Sequence, residues 1–328
     1  MEPNPVDKLL RMATGFQQSR VLLTAMELDI FGRLDKGPAG SEKVARALGC
    51  DPRATDRLLC ALTALGLCSK KGETYENTPE ASRFLVAGKP DFMAGLFHAN
   101  HLYHTWGTLT EAVRSGTSVS MGPVNDRGEQ WLTSFIAAMH WRASRHAPLI
   151  ADMVDIPGNG RVLDVGGGSG AYSAAFVRKR GNATAVVFDL PNVVDITRGY
   201  LVRMGVEDSV EVVSGDYLKD DLPKGFSAVW LSAIIHSNSV PQNISLFEKC
   251  REALVPGGKL IVQDFIMDPG RTSPAFGALF ALNMLVNTEC GDTFTRSEVE
   301  SWMERAGLSP EGAAATPFGT TLLTAAKP

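Results

Sequence analysis

The sequence predicts an α/β protein in two parts: a doubly wound, mainly parallel sheet towards the C-terminus, and a smaller helical module of winged-helix pattern before it. Three observations predict this. A glycine-rich turn, Gly166-Gly-Gly-Ser-Gly170, joins the apolar run Val162, Leu163 and Val165 to a helical stretch from Ala171 to Arg180. After that turn, apolar runs of strand length alternate with helical stretches. Before it, helical stretches lead into two short segments around Lys70-Lys71-Gly72-Glu73 that read as a hairpin.

Composition narrows the function classes. At 328 residues, with 44% apolar and 21% charged side chains, the chain resembles an ordinary soluble protein long enough for two cores. The formal charge of −4 is unevenly spread: residues 1–150 carry 17 Lys and Arg against 15 Asp and Glu, and residues 151–328 carry 15 against 21. Neither part has the strongly basic face that nucleic acid requires. Cys50, Cys60, Cys68, Cys250 and Cys290 are scattered and form no Cys-x-x-Cys pair, which favours reduced thiols over disulfides or zinc. Met1-Glu-Pro-Asn-Pro5 is unlike a signal peptide, and no apolar run reaches the ~18 residues of a membrane span. A cytoplasmic protein without membrane or nucleic-acid partners is expected.

Val6 to Phe31 carries apolar residues at helical spacing (Leu9, Met12, Phe16, Val21, Leu22, Met26). Ser41 is the expected N-cap of a helix from Glu42 to Leu48. Asp51, with Pro52 behind it, caps another from Ala54 to Leu65. Helices followed by a hairpin form a winged-helix arrangement, which serves either DNA binding or dimerisation. Residues 54–65 favour dimerisation, because after Arg57 they run Leu-Leu-Cys-Ala-Leu-Thr-Ala-Leu. A reading helix needs polar and basic side chains, whereas one apolar all round wants protein on every side.

Phe92 to Gly116 and Trp131 to Val154 read as linking helices, separated by the polar, glycine-rich loop 115–123. The expected domains are therefore 1–90, 91–155 for the linking helices, and 156–328. His98, His101 and His104 recur every third residue, but such steps drift round a helix and no acid lies nearby, so a shared metal ion is disfavoured. Tyr103, Trp106, Met139 and Trp141 read as a pocket wall for a polar aromatic ligand, or as plain packing.

The C-terminal part carries the richer chemistry. Glycines 166, 168 and 170 let the backbone take positive φ and lie against a ligand with no Cβ between them. The helix beyond points N–H groups and a partial positive charge at a bound anion or carboxylate. Alone this motif is loose, since Gly166-x-Gly168-x-x-Ala171 also fits a dinucleotide fingerprint. The next strands sharpen it. Ala183 to Asp189 ends in a carboxylate suited to the two ribose hydroxyls of an adenosine. Val210 to Ser214 leads into Gly215-Asp216-Tyr217, an acid and an aromatic suited to an adenine. The set suits S-adenosylmethionine at least as well as NAD.

Phe226 to Ala233 reads as a fourth strand, Ser239 to Leu254 as a helix, and Gly257-Gly258 as the turn into a fifth strand from Lys259 to Phe265. Phe276 to Val286 reads as a helix roofing a pocket, where Asn283, Met284 and Asn287 either touch an acceptor or serve packing. Thr295 opens a capped amphipathic helix, and Thr320 to Lys327 closes the sheet.

Over nearly its whole length the chain resembles the class I S-adenosylmethionine-dependent methyltransferases of the caffeate, flavonoid and acetylserotonin O-methyltransferase type. Gly15 to Phe31 is similar to the family's opening helices, and Leu163-Asp-Val-Gly-Gly-Gly-Ser-Gly170 to its cofactor loop. Phe188 to Val194 resembles its ribose motif, Gly215 to Tyr217 its adenine motif, and Pro256 to Val262 the run into its fifth strand. The resemblance implies a winged-helix-like dimerisation domain, a homodimer, and a Rossmann-like, doubly wound domain binding S-adenosyl-L-methionine and releasing S-adenosyl-L-homocysteine. The implied cofactor set is Asp164, Gly166, Gly168, Gly170, Asp189, Leu190, Asp216, Tyr217 and Ser232. The implied substrate set is Tyr103, Trp106, Met139, Asn283, Met284 and Asn287, with no metal.

The resemblance also places a general base after strand four, in a family context like Ile-Leu-His-Asp-Trp. Here Leu231-Ser-Ala-Ile-Ile-His-Ser-Asn-Ser239 has His236 at that position, with Ser237 for the acid and Asn238 for the tryptophan. Of two family acids that orient the base, Asp264 matches one and Thr293 stands at the other, leaving Asp292 or Glu289 to compensate. A phenol, with a pKa near ~10, has to lose its proton, and a histidine near neutrality is suited to take it. The reading is methylation of a hydroxyl on a small aromatic or polycyclic acceptor. The altered context also fits C-methylation (of a tetrapyrrole, for example), N-methylation, or a relative that binds the cofactor without transferring methyl. A reading of another class is a winged-helix regulator that senses a nucleotide-like ligand.

Overall fold

The structure is a computed structural model, and it describes residues 4–119, 122, 127–157, 160–181 and 183–328. Ser120, Met121 and Pro123 of the loop expected at 115–123 lie outside the described residues. The chain divides into two compact units, Met1–Tyr103 and His104–Pro328.

The first unit opens with helices α1 (Pro5–Thr14), α2 (Phe16–Glu27) and α3 (Ile30–Asp35). The apolar run from Val6 to Phe31 is thus three helices rather than one. The chain breaks at Gly15 and again at Asp29, which sits in the left-handed region at φ 54°. Strand β1 (Ala39–Gly40) precedes α4 (Ser41–Leu48). Ser41 is the first helical residue and Gly40 the cap, with no side-chain capping bond, so the expected Ser41 cap is corrected. Asp51 does cap α5 (Pro52–Ala64), accepting from the Ala54 N–H. Strands β2 (Cys68–Lys71) and β3 (Thr74–Asn77) form the expected hairpin, and β1 joins β3 to complete a three-stranded antiparallel sheet. Helices α6 (Pro79–Phe84) and α7 (Leu96–Trp106) follow. Leu59, Leu62, Phe31 and Tyr75 anchor the unit's core, while Val6, Leu9, Leu10, Met12 and Phe16 leave an apolar face on α1 and the start of α2 exposed.

In the second unit α8 (Leu109–Ser115) and α9 (Glu129–Met153) precede the sheet. Strands and helices then alternate: β4 (Arg161–Val165), α10 (Ala171–Arg180), β5 (Thr184–Asp189), α11 (Val194–Met204), β6 (Val210–Ser214) and β7 (Phe226–Ser232). Beyond a 3-10 turn at Ile235–Ser237 come α12 (Val240–Ala253), β8 (Leu254–Asp264), β9 (Ile266–Met267), α13 (Ala275–Asn287), β10 (Phe294–Thr295), α14 (Arg296–Arg305), β11 (Ser309–Ala315) and β12 (Thr321–Ala326). Among the described residues the large sheet has seven strands in the order β11-β12-β8-β7-β4-β5-β6. Strands β4 to β8 run parallel, and β11 and β12 antiparallel. The strand at Thr320 to Lys327 does not close the sheet, because β11 pairs outside it. Its Ser-Pro-Glu-Gly-Ala-Ala-Ala sequence lacks the apolar alternation that announces a strand.

Alternation sorts the two faces of this sheet. Val229 and Leu231 point into a core with Leu246, Phe247, Trp302 and Met303 of α12 and α14. Ala228 and Trp230 point the other way, to Ile150, Phe176 and Leu201 of α9, α10 and α11. Helices on both faces cover the sheet, so its polar chemistry collects at the C-terminal strand ends.

Candidate active site

Because β4, β5 and β6 are neighbours in register, their C-terminal ends line up along one edge. Gly166, Gly168 and Gly170 all adopt positive φ (66°, 58° and 71°). A Cβ at Gly166 would lie 2.4 Å from Ile234 Cδ1, and one at Gly167 would lie 2.7 Å from the Asp164 carboxyl carbon. The turn therefore needs glycine for conformation at 166 and for space at 167.

Side chains lock this turn. The Gly168 N–H donates to Asp189 Oδ2 (2.8 Å), and the Leu190 N–H donates to Asp189 Oδ1 (2.8 Å). The turn was expected to offer its N–H groups freely; the one at Gly168 is instead held by the neighbouring strand's acid. Thr197 donates to the Gly168 carbonyl (2.6 Å), and Ser169 is hydrogen-bonded to His140 Nδ1 of α9 (2.9 Å). Under the turn, Asp164 accepts from the Ser173 hydroxyl (2.7 Å) at the start of α10.

Burial pushes Asp164 up to about 7, and the charge of Asp189 adds to the rise. Burial pushes Asp189 up to about 6, against the two N–H groups it accepts from. Two crowded carboxylates favour a ligand that brings positive charge and oppose a pyrophosphate dianion. Asp216, at the end of β6, is ion-paired with Lys219 (2.9 Å) and accepts from the Leu218 N–H (3.0 Å). Tyr217 turns inward, its ring against the glycine turn and its hydroxyl donating to Asn238 Oδ1 (3.2 Å). The Ser232 hydroxyl donates to Gln263 (3.2 Å) at the ends of β7 and β8.

The second half of the site forms where β7 ends. Ala233 takes φ 59°, an uncommon conformation for a residue with a Cβ, and the 3-10 turn then presents His236. His236 Nδ1 lies 2.7 Å from Asp264 Oδ1, with the residues 7% and 2% exposed, so water scarcely competes for the pair. The Phe265 N–H also donates to Asp264 Oδ1 (2.8 Å). With Nδ1–H given to the carboxylate, the imidazole keeps its Nε2 lone pair as an acceptor.

Phe280 meets the imidazole edge to face, with centroids 4.8 Å apart, and Phe265 and Phe276 complete an aromatic cluster with it. Sequence reasoning saw α13 as a roof but missed Phe280; the Phe276–Phe280 spacing of i, i+4 was the available signal. Neither acid offered as a replacement for Thr293 serves His236. Asp292 gives its carboxylate to Arg271 (3.4 Å) and to the Thr293 N–H (2.8 Å), and the Glu289 side chain is exposed. Buried Thr293 instead makes a long hydroxyl contact with the Gly277 carbonyl of α13 (3.5 Å).

Of the expected acceptor residues, three come together: Trp106 Nε1 donates to Asn283 Oδ1 (2.9 Å), which also receives the Asn287 amide (3.2 Å). Met284 is buried and Met139 half-buried. Tyr103 belongs to the first unit, where the Arg20 guanidinium lies over its ring at 5.1 Å. Among the described residues no cluster of His, Cys, Asp or Glu could hold a metal ion, and no helix is long and apolar enough to cross a membrane.

Comparison with known proteins places this architecture. An O-methyltransferase domain model matches residues 106–309, and an O-methyltransferase dimerisation domain model matches residues 10–87. A 3-hydroxy-5-methyl-1-naphthoate 3-O-methyltransferase of Streptomyces sahachiroi is 32% identical over 307 residues, 92% of this chain and 89% of its own. The N,N-dimethyltransferase OxyT of Streptomyces rimosus is 31% identical over 279 residues, 81% of this chain and 80% of its own. Human N-acetylserotonin methyltransferase, whose structure was solved with SAM, superposes with a TM-score of 0.83 at 26% identity, covering 99% of each chain. With a glycine turn and two buried acids at one sheet edge and both family domains in sequence, the chain belongs to the O-methyltransferase family, enzymes that draw their methyl group from S-adenosylmethionine.

Proposed function

We propose that this chain methylates a hydroxyl of a small aromatic or polycyclic acceptor, with His236 as the general base. The observation that carries the reading is the buried His236–Asp264 pair, set against an aromatic cluster. Gly166, Gly168 and Gly170 form the cofactor turn, Asp189 takes the ribose, and Asp164 answers the positive charge. Asp216, Leu190 and Ser232 complete the adenosine surroundings. When bound, S-adenosylmethionine supplies a methyl already activated by its sulfonium.

The chain's own residues then have three tasks. Phe280, Phe276 and Phe265 hold an aromatic acceptor by its ring faces and exclude water. His236 Nε2 takes the hydroxyl proton, a contribution on the order of 10²–10⁴-fold. Asp264 fixes the imidazole through Nδ1 and stabilises its protonated form. Trp106, Asn283 and Asn287 present a polar wall, with Met139 and Met284 supplementing it. We assign 1–90 to dimerisation, 91–155 to the linking helices and 156–328 to the catalytic domain. The exposed apolar face of α1 supports a homodimer, and the scattered, unbridged cysteines support a cytoplasmic setting.

The likeness to OxyT favours N-methylation as the second reading. The test is titration calorimetry with S-adenosylhomocysteine and with NAD, followed by methyl transfer to hydroxynaphthoates and to matched arylamines. Micromolar binding of S-adenosylhomocysteine alone, with transfer to the hydroxyl series, is the expected result. Transfer to amines alone would replace hydroxyl by nitrogen as the target, and binding of neither ligand would remove the reading.

A further inference from the structure

At the two positions after His236, where the family resemblance leads one to expect an acid and a tryptophan, this chain has Ser237 and Asn238. Asn238 is not a surface polar residue: it is 2% exposed, and both ends of its amide are engaged. Its Oδ1 accepts from the Tyr217 hydroxyl (3.2 Å), and its Nδ2 donates to Asn243 Oδ1 (3.1 Å). Asn243, fully buried on α12, donates in turn to the Ile235 carbonyl (2.9 Å), one residue before the base. The Tyr217 ring at the other end of the chain lies beside Gly166 of the cofactor turn.

We infer that Asn238 and Asn243 are positioning residues that tie the backbone carrying His236 to Tyr217 at the cofactor edge, so that filling that edge sets the base. The inference rests on the cofactor reading above. Buried polar groups that are fully paired act as stiff links, because each unpaired amide would bear its whole desolvation cost. The three bonds share one direction of donation, from Tyr217 through Asn238 and Asn243 to a main-chain carbonyl. Movement of the tyrosine on ligand binding is therefore passed to the 3-10 turn rather than absorbed by solvent. The turn is otherwise held by the Asp292 N–H on the His236 carbonyl (2.9 Å) and by the Asp264 side chain, both on the acceptor side. Removing the asparagine link leaves it without a side-chain hydrogen bond on the cofactor side, where Ile234 packs against Gly166.

Hydrogen–deuterium exchange on the full chain tests this, with each protein saturated by S-adenosylhomocysteine at a concentration fixed by its own titration. In the unmodified chain the ligand should slow exchange both in residues 166–170 and in residues 235–239. In Asn238→Ala the protection of 166–170 should remain while that of 235–239 falls roughly tenfold or more, the scale of the two buried hydrogen bonds lost. Asn243→Ser breaks the same link at its α12 end, away from the cofactor set, and should do the same, which covers the case where Asn238→Ala does not fold. Protection of 235–239 that survives both substitutions, or is absent in the unmodified chain despite binding, overturns the inference and leaves the cofactor reading standing. Failure of the unmodified chain to bind S-adenosylhomocysteine overturns both.

Discussion

The two halves of the site are built by different means. At the ends of β4, β5 and β6, backbone conformation and two buried carboxylates make the proposed cofactor surface, and its hydrogen bonds join neighbouring strand–turn–helix units. At the ends of β7 and β8, side chains hold one another: His236 by Asp264, Asn238 by Tyr217, Asn283 by Trp106. The bonds that hold the turn span at most 29 residues, whereas Trp106–Asn283 in the second half spans 177. The first kind of site is set by glycine conformation and by carboxylates at neighbouring strand ends. The second depends on the whole domain.

This contrast can be broken experimentally, beginning with the largest effect. His236→Ala should lower kcat on a phenolic acceptor by roughly 10²–10⁴-fold, the range of general-base catalysis, with S-adenosylhomocysteine affinity unchanged. Near-normal turnover would mean that the acceptor half needs no base. Asp189→Ala should do the reverse, weakening S-adenosylhomocysteine by about 1–3 kcal/mol, the scale of lost charged hydrogen bonds. An unaltered Kd in calorimetry would take the ribose away from that strand end.

Protons sharpen the comparison further. Because burial holds Asp164 up to about 7, part of its population is protonated near neutrality, and a cationic cofactor should expel that proton. S-adenosylmethionine affinity should therefore fall as pH drops below about 7, by up to about tenfold per unit. Calorimetry in buffers of different ionisation enthalpy should register proton release, and pH-independent binding heats would contradict it.

The smallest effect is expected at His140, whose imidazole is pushed down to about 4 by burial first and by Arg203 and Arg145 second. It stays neutral in the folded chain, whereas in the unfolded chain it takes a proton near its ordinary value of about 6.5. Its contribution is thus complete above about pH 6.5 and is lost as pH falls towards about 4. Allowing for partial solvent access, about 1 kcal/mol is at stake. Thermal melts of the unmodified chain and of His140→Gln should converge as pH falls through that window. A constant gap would show that the Ser169–His140 bond does not titrate.

The sequence by itself determined the α/β class, the glycine turn, Asp189 at the tip of its strand, the Asp51 cap and the hairpin. These rest on local rules: strand and helix periodicity, the steric freedom of glycine, and capping by short polar side chains. Tertiary structure decided the rest. It set β11 outside β12, broke the first helical run at Gly15 and Asp29, and turned Tyr217 inward to Asn238. It also turned Asp292 out to Arg271, leaving Asp264 as the described acid paired with His236, and brought Phe280 against the imidazole. A side chain's orientation follows from what packs against it from distant segments. No spacing along the chain carries that information, whereas a glycine's conformational freedom belongs to the residue itself.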